Sequence, residues 1–328
     1  MLDNFAYPLI GSEIALSLYP QLIKLVPTTI EIQIAVRCIT YSVLALLGYF
    51  INGSINNSSK SDSSKSIESI SKKSKTGSMF FYILMGIVNI FHIASSYISY
   101  KILPSGIADS LFYTYPIFNL LFRTIFFGES IKLINYFYII IAIIGVYFIY
   151  SDSKNNIVSN NTILNNTTLN NTKESSTKES YDFFKKFTSK DTFIGLVSGI
   201  GSAFTESLMY LMVKADVSSI SPFIQVLKTY ILGGILSLGY LIKNIDKINL
   251  DWHYWTTLIL FNALVGFVGY VIRFFTIPRL TTIAFNSLIF IGVLFSYIWG
   301  YLFSNEKIKM KNILGTLLIV GSVFKINN

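Results

Sequence analysis

The sequence predicts an all-α membrane protein of ten transmembrane helices, arranged as two inverted five-helix repeats. Three observations carry that expectation. Apolar runs near twenty residues recur along the chain, charged residues are scarce, and polar positions of the first half return in the second.

Charged residues make up 13% of the 328-residue chain and hydrophobic ones 52%. Soluble domains carry about 25% charged residues, so a soluble globular fold is disfavoured. A long apolar run in lipid must satisfy its own backbone, which leaves helices or a closed barrel. Barrel strands alternate in polarity, whereas 136–150 (YFYIIIAIIGVYFIY) is apolar throughout. Helices are therefore predicted.

The net charge of +9 does not point to nucleic acid. Most lysines lie in connections between the apolar runs, and no basic face interleaved with aromatics is present. The single cysteine, Cys38, excludes a disulfide within the chain, a Cys-based metal site and a redox pair. No basic region precedes the first apolar run, which carries only Asp3 before it, so that run is expected to be a retained span rather than a cleaved signal.

Ten segments are predicted, at 5–26, 30–51, 78–100, 104–127, 133–150, 192–213, 219–242, 253–275, 279–303 and 310–326. Pro27, Pro104 and Pro278 fall at their boundaries, where a missing N–H does least harm. Two connections, 52–76 and 151–190, are rich in Ser, Asn, Thr and Lys. They have little to bury and are expected to be a mobile loop and a disordered linker. Their Asn-x-Ser/Thr triplets, as at Asn52, Asn165 and Asn170, are common by chance in such sequence. Both connections are rich in lysine, so the positive-inside rule selects no orientation.

Self-comparison gives the organisation. At a shift of 177 residues, Ser110-Leu111 meets Ser287-Leu288, Glu129 meets Glu306, and Asn135 meets Asn312 without a gap. Nearer the start of each half the shift is about 190, where Gly11-Ser12 meets Gly201-Ser202 and Lys24 meets Lys214. One residue further on, Arg37 meets Lys228. The chain thus divides into a unit at 1–150, a linker at 151–190 and a unit at 191–328. Five is odd, so the second unit enters the bilayer the opposite way up.

With these residues in view, the chain resembles the drug/metabolite transporter superfamily, in particular its EamA-like two-repeat members. The matching features are Arg37, Tyr115-Pro116, Gly128-Glu129 and Gly145 in the first half, and Lys228, Glu306 and Gly321 in the second. Departures are Lys228 for a second arginine, Val293 at the position of Pro116, and Asn305 for the glycine before Glu306. The resemblance implies ten helices around a central cavity and substrates among amino acids, metabolites and sugar nucleotides.

Ionisable groups inside spans are costly and are default functional candidates. Glu13 in the first span and Glu206 in the sixth lie within about a turn of equivalence. A desolvated carboxylate there suits proton coupling or a cationic group. Asp109 and its repeat mate Asn286 stand early in the fourth and ninth spans. His92, with Asn89 one turn before it, can shuttle a proton. Arg37, Lys228, Arg273 and Arg123 are cations in apolar sequence, and a guanidinium can grip a carboxylate or phosphate through two hydrogen bonds. Tyr113, Tyr115 and Tyr270 can line a path, although most aromatics are expected in packing and in interfacial belts. Lys24 and Lys214 read as interfacial anchors. Glu129 and Glu306 read as structural carboxylates favouring the helices that follow them.

The expected function is gradient- or exchange-driven movement of a small organic metabolite, since no P-loop is present. A scaffold or receptor that kept a carrier fold is the alternative. An intramembrane transferase lacks any His-Glu-x-x-His or clustered catalytic motif, so no enzyme, metal or cofactor is expected. The expected partners are a small-molecule substrate and the bilayer, with no nucleic acid.

Overall fold

A computed structural model describes residues 5–58, 79–127, 132–149, 189–216, 221–244, 246, 248, 251–277, 279–280, 285, 288–307 and 309–327, with backbone alone at 52–58, Arg123, Phe127, Ser189, Lys214 and 326–327. Among the described residues the secondary structure is helical, with no strand. In chain order the helices are α1 (Ala6–Leu16), α2 (Tyr19–Leu25), α3 (Ile30–Ser58), α4 (Met79–Ile102), α5 (Ser105–Phe112) and α6 (Tyr115–Phe127). There follow α7 (Leu133–Ile149), α8 (Ser189–Ala215), α9 (Pro222–Asn244), α10 (Trp252–Thr276), α11 (Ile291–Ser304) and α12 (Met310–Asn327).

Among the described residues, five stretches are long and apolar enough to cross a membrane: Ile30–Ile51 and Met79–Ile102, then Lys190–Val213, Pro222–Asn244 and Trp252–Thr276. The helices α7 and α11 are apolar but shorter. Polarity is distributed the opposite way from a soluble protein. On α4 the buried stripe runs through Met85, Asn89, His92, Ser96 and Tyr100, while Phe80, Ile83, Ile87 and Phe91 face outward. On α9, Gln225, Thr229, Tyr230 and Ser237 are buried, and Ile231, Ile235, Leu238 and Ile242 are exposed. Apolar groups outside and polar groups inside is the arrangement that lipid, as solvent, selects.

Several predicted edges shift. The first segment is not one helix. It breaks at Ser17 and Leu18, because Pro20 cannot donate to the Leu16 carbonyl. The fourth breaks likewise at Tyr113 and Thr114, ahead of Pro116. Val293, at the repeat position of Pro116, does not straighten its helix: turns at Ile289 and Phe290 precede α11, with Val293 N donating to Phe290 O at 3.1 Å. The ninth segment is therefore not a continuous helix from 279: Arg279 and Leu280 are not helical, Phe285 and Leu288 are, and α11 resumes at Ile291 after the turns. The helix α3 runs on to Ser58, into the stretch expected to be loop, since extending a formed helix costs little. The rest of that loop, Asn165, Asn170, Pro278, Glu129 and Asn286 lie outside the described residues.

Packing brings the halves together. α3 lies against α9, α4 against α8, α1 against α10, and α5 against α11. α4 also touches α9, and α3 also touches α10; α5 and α6 meet α8, as α1 and α2 meet α11. The terminal helices α7 and α12 cross at two glycines. A Cβ on Gly145 would stand 2.6 Å from Gly315 O, and one on Gly315 would stand 2.7 Å from Gly145 O. Gly321, by contrast, has nothing within 4 Å of its would-be Cβ.

Candidate functional site

Both helix breaks of the first half open onto one buried, polar cavity. Its walls come from α1, α2, α3, α4 and α5, with Tyr270 and Arg273 supplied by α10. It encloses about 30 Å³, room for roughly two waters. An organic metabolite does not fit it in this conformation.

Arg273 is the electrostatic centre. Its Nε lies 3.0 Å from Glu13 Oε1, and its Nη1 lies 3.0 Å from Glu206 Oε1. The Nε–H is not aimed well enough along its line to count as a hydrogen bond, so that contact is mainly coulombic. The other oxygen of Glu13 accepts a hydrogen bond from Tyr113 Oη at 2.6 Å. Glu206 Oε2 stands 3.5 Å from His92 Nε2. His92 Nδ1 faces the Ser202 carbonyl at 3.2 Å, an acceptor only, so Nδ1 carries a proton. An attractive His92–Glu206 contact then requires one further proton, on the imidazole or on the carboxylate.

Asp109 lies on α5 and accepts a hydrogen bond from Ser296 of α11, whose Oγ is also 3.1 Å from Ser17 O. Trp299 Nε1 donates to Ser17 Oγ at 3.0 Å. Ser296 and Trp299 of α11 thus place donors at the break after α1, the single Ser296 proton being shared between Asp109 and the Ser17 carbonyl, which helps keep the break tolerable in an apolar surrounding.

Arg37 is enclosed by tyrosines. Its guanidinium carbon lies 4.7 Å from the Tyr19 ring centre and 4.8 Å from that of Tyr270, with Tyr41, Tyr97 and Tyr230 at 5.3, 5.6 and 5.9 Å. Nη2 donates to Tyr230 Oη at 3.0 Å. The cage is held from behind. Tyr19 Oη and Tyr41 Oη are 2.6 Å apart, and Tyr19 donates to Asn262 Oδ1 at 2.8 Å. Asn262 opens a π-helical turn, Asn262–Phe267, inside α10. The same turn carries Gly266, where a Cβ would collide with the Tyr19 and Tyr41 hydroxyls.

Of the candidates read from sequence, Glu13, Arg37, His92, Asp109 and Arg273 line the cavity, and Glu206 touches it through Arg273 and His92. Asn89 does not. Its amide donates to Thr229 O at 3.2 Å and ties α4 to α9. Tyr115 is buried against Phe112 and Tyr113 and is not among the lining residues, whereas Tyr113 and Tyr270 are. Lys228 stands apart as well, 2.9 Å from Asp216 Oδ2 and 3.1 Å from Tyr82 Oη. Asn286 and the Arg123 side chain lie outside the described residues.

Lys24 corrects its expected role. It is a buried residue ion-paired with Glu306, and it also donates to Ser105 Oγ at 2.9 Å. An ammonium that has a carboxylate and a hydroxyl at hand has no need to reach for headgroups. Glu306 serves a helix dipole, as anticipated, but that of another helix: Oε2 accepts from the Ser105 backbone N at 2.8 Å, at the start of α5. Asn305, standing where the family has glycine, takes the left-handed conformation (φ 52°) that ends α11, which Asn tolerates best among residues bearing a Cβ. Tyr100, Ser17, Ser96 and the members of the tyrosine cage other than Tyr270 were not singled out by the sequence. Among 21 tyrosines in mostly apolar runs, nothing marked these.

A helical bundle with an apolar exterior and buried ion pairs around an internal cavity defines a class, the multi-pass integral membrane proteins. The EamA-like transporter family matches the chain over residues 9–151 and 193–328, and the chain belongs to that family of membrane transporters of small molecules. Fourteen solved chains match it. One, titled only as the crystal structure of a protein, aligns with a TM-score of 0.52 at 10% identity, covering 97% of this chain and 95% of its own. A likeness at that identity speaks to fold alone. No curated protein matches the chain.

Proposed function

We propose that the protein moves a small organic solute across the bilayer by alternating access, driven by a gradient or by exchange. In this reading it has ten spans, formed by oppositely inserted five-helix units at 1–150 and 191–328. The carrying observation is the polar cavity, in whose wall Glu13 of one unit meets Arg273 of the other, with Glu206 held behind by the same guanidinium. Buried charge of that density is expensive to maintain unless it serves a solute or a coupling ion.

The helix pairings support the two-unit reading. Exchanging the units turns α4 against α8 into α10 against α1, and turns α9 against α4 into α3 against α10. It leaves α3 against α9 and α5 against α11 unchanged. Two units related this way give two conformations of similar energy, opening to opposite sides. Lys24, Glu306, Ser105, Gln21 and Ser304 are also linked across the units. An imidazole 3.5 Å from a carboxylate is a place where a proton can be taken up and released, and that supports proton coupling as the drive.

Reconstitution in vesicles against a metabolite panel tests this. Saturable uptake or exchange that is lost in Arg273→Gln is expected. Absence of uptake and exchange for every solute would overturn the reading.

A further inference from the structure

Four cations are buried or half-buried among the described residues at unit contacts, and three have a carboxylate of their own. Arg273 has Glu13 and Glu206, Lys24 has Glu306, and Lys228 has Asp216. Arg37 has only tyrosines. No carboxylate among the described residues forms an ion pair with it, its two hydrogen bonds go to neutral hydroxyls, and its Nε is buried with no acceptor. It is 3% exposed and lines the cavity.

The repeat sharpens the contrast. Arg37 and Lys228 are mates, and under the alignment that matches Lys24 with Lys214, the position of Asp216 is taken by Val26. A counter-ion is therefore built beside the cation of the second unit and absent from that of the first. Tyr19 and Tyr270 flank the guanidinium and offset part of its burial through their ring faces. Ring faces leave the in-plane edge of a guanidinium unsatisfied, and that edge matches the two oxygens of a carboxylate or phosphate.

Resting on the carrier reading above, we infer that the transported solute bears an oxyanion, carboxylate or phosphate, and that Arg37 is its docking group. Arg273, already neutralised, holds the units together rather than binding the solute's charge. When the cavity widens to admit the solute, its oxyanion supplies the missing counter-charge, and the tyrosine cage keeps the guanidinium in place while it is absent.

The test is thermal shift of the purified full-length protein, at constant ionic strength, with carboxylates from acetate to phenylacetate, their matched primary amides, and inorganic phosphate. Saturable stabilisation by carboxylates or by phosphate, and none by the amides, is expected. A response to one and not the other identifies which oxyanion the site takes. Arg37→Gln should lose the shift, and Lys228→Gln, which removes a cation away from the cavity, should keep it. Should Arg37→Gln fail to fold, Arg37→Lys retains the charge without the fork and should weaken binding at least about tenfold. The inference is overturned if amides match their acids, if no anion stabilises the wild type, or if the Arg37 variants bind as the wild type does. Flux of a solute lacking an oxyanion, undiminished in Arg37→Gln, would sink the inference and leave the carrier intact. Anion binding without any flux would do the reverse.

Discussion

Arg273 Nε lies 3.0 Å from Glu13 Oε1, so the eighth apolar segment is pinned electrostatically to the first. The same guanidinium holds Glu206 at 3.0 Å. One cation therefore serves two carboxylates, Glu13 buried and Glu206 partly buried, and removing it strands both.

Arg273→Gln is accordingly expected to destabilise the folded protein by about 3–5 kcal/mol, the usual cost of leaving a buried charge unpaired. Unfolding in detergent with a graded denaturant measures it. Adding Glu13→Gln and Glu206→Gln should recover much of the loss, because the stranded charges are then gone. A single variant as stable as the wild type would mean that the carboxylates are already neutral without Arg273.

That cluster was legible in the sequence because an ionised group in an apolar run has few harmless explanations. Glu13, His92, Asp109, Glu206 and Arg273 stood out for that reason and came together. Asn89 and Lys228 stood out equally but find partners elsewhere, because spacing within a helix does not tell which neighbouring helix receives the side chain. The tyrosine cage was illegible as a cage for the opposite reason: five members drawn from five separate helices are indistinguishable from packing aromatics until the helices cross, and only Tyr270 was named beforehand. The helical membrane class was readable from apolar run length. The breaks ahead of Pro20 and Pro116 were not anticipated, although proline chemistry accounts for them, and the turn before α11 has no proline to account for it.

The Lys24–Glu306 pair is a second site where sequence reading and structure part, and it makes its own prediction. Lys24→Met leaves Glu306 still bonded to the Ser105 N–H at 2.8 Å, so the start of α5 should survive while the closure between the units weakens. Cys38, the chain's one cysteine, is fully buried and reports on opening. Maleimide labelling of native protein should be slow in the wild type and several-fold faster in Lys24→Met. Equal rates would show that the pair does not hold this conformation closed.

At the crossing of α7 and α12, the prediction is steric. A Cβ on Gly145 would meet Gly315 O at 2.6 Å, and the obstacle is backbone, which cannot rotate away. Gly145→Leu should cost about 1–3 kcal/mol, as overpacking does in tight cores. Gly321→Leu, at a site with nothing within 4 Å, should cost little. Melting temperatures of the two variants compare them directly, and equal losses would place the crossing elsewhere.

The two-unit reading fixes which connections share a side of the membrane. Two spans precede the connection after α3, so it should lie on the same side as the N-terminus. Five precede the 151–190 connection, so it should lie on the opposite side, and after ten the C-terminus should return to the first. Because Cys38 is buried, cysteines introduced by Ser63→Cys and Ser159→Cys report against a silent background. An impermeant maleimide applied to sealed, right-side-out vesicles should label one of the two and spare the other until the membrane is opened. Labelling of both from the same side would require an even number of spans in the first unit. The second unit would then enter the bilayer the same way up as the first, and exchanging the units could no longer turn an outward opening into an inward one.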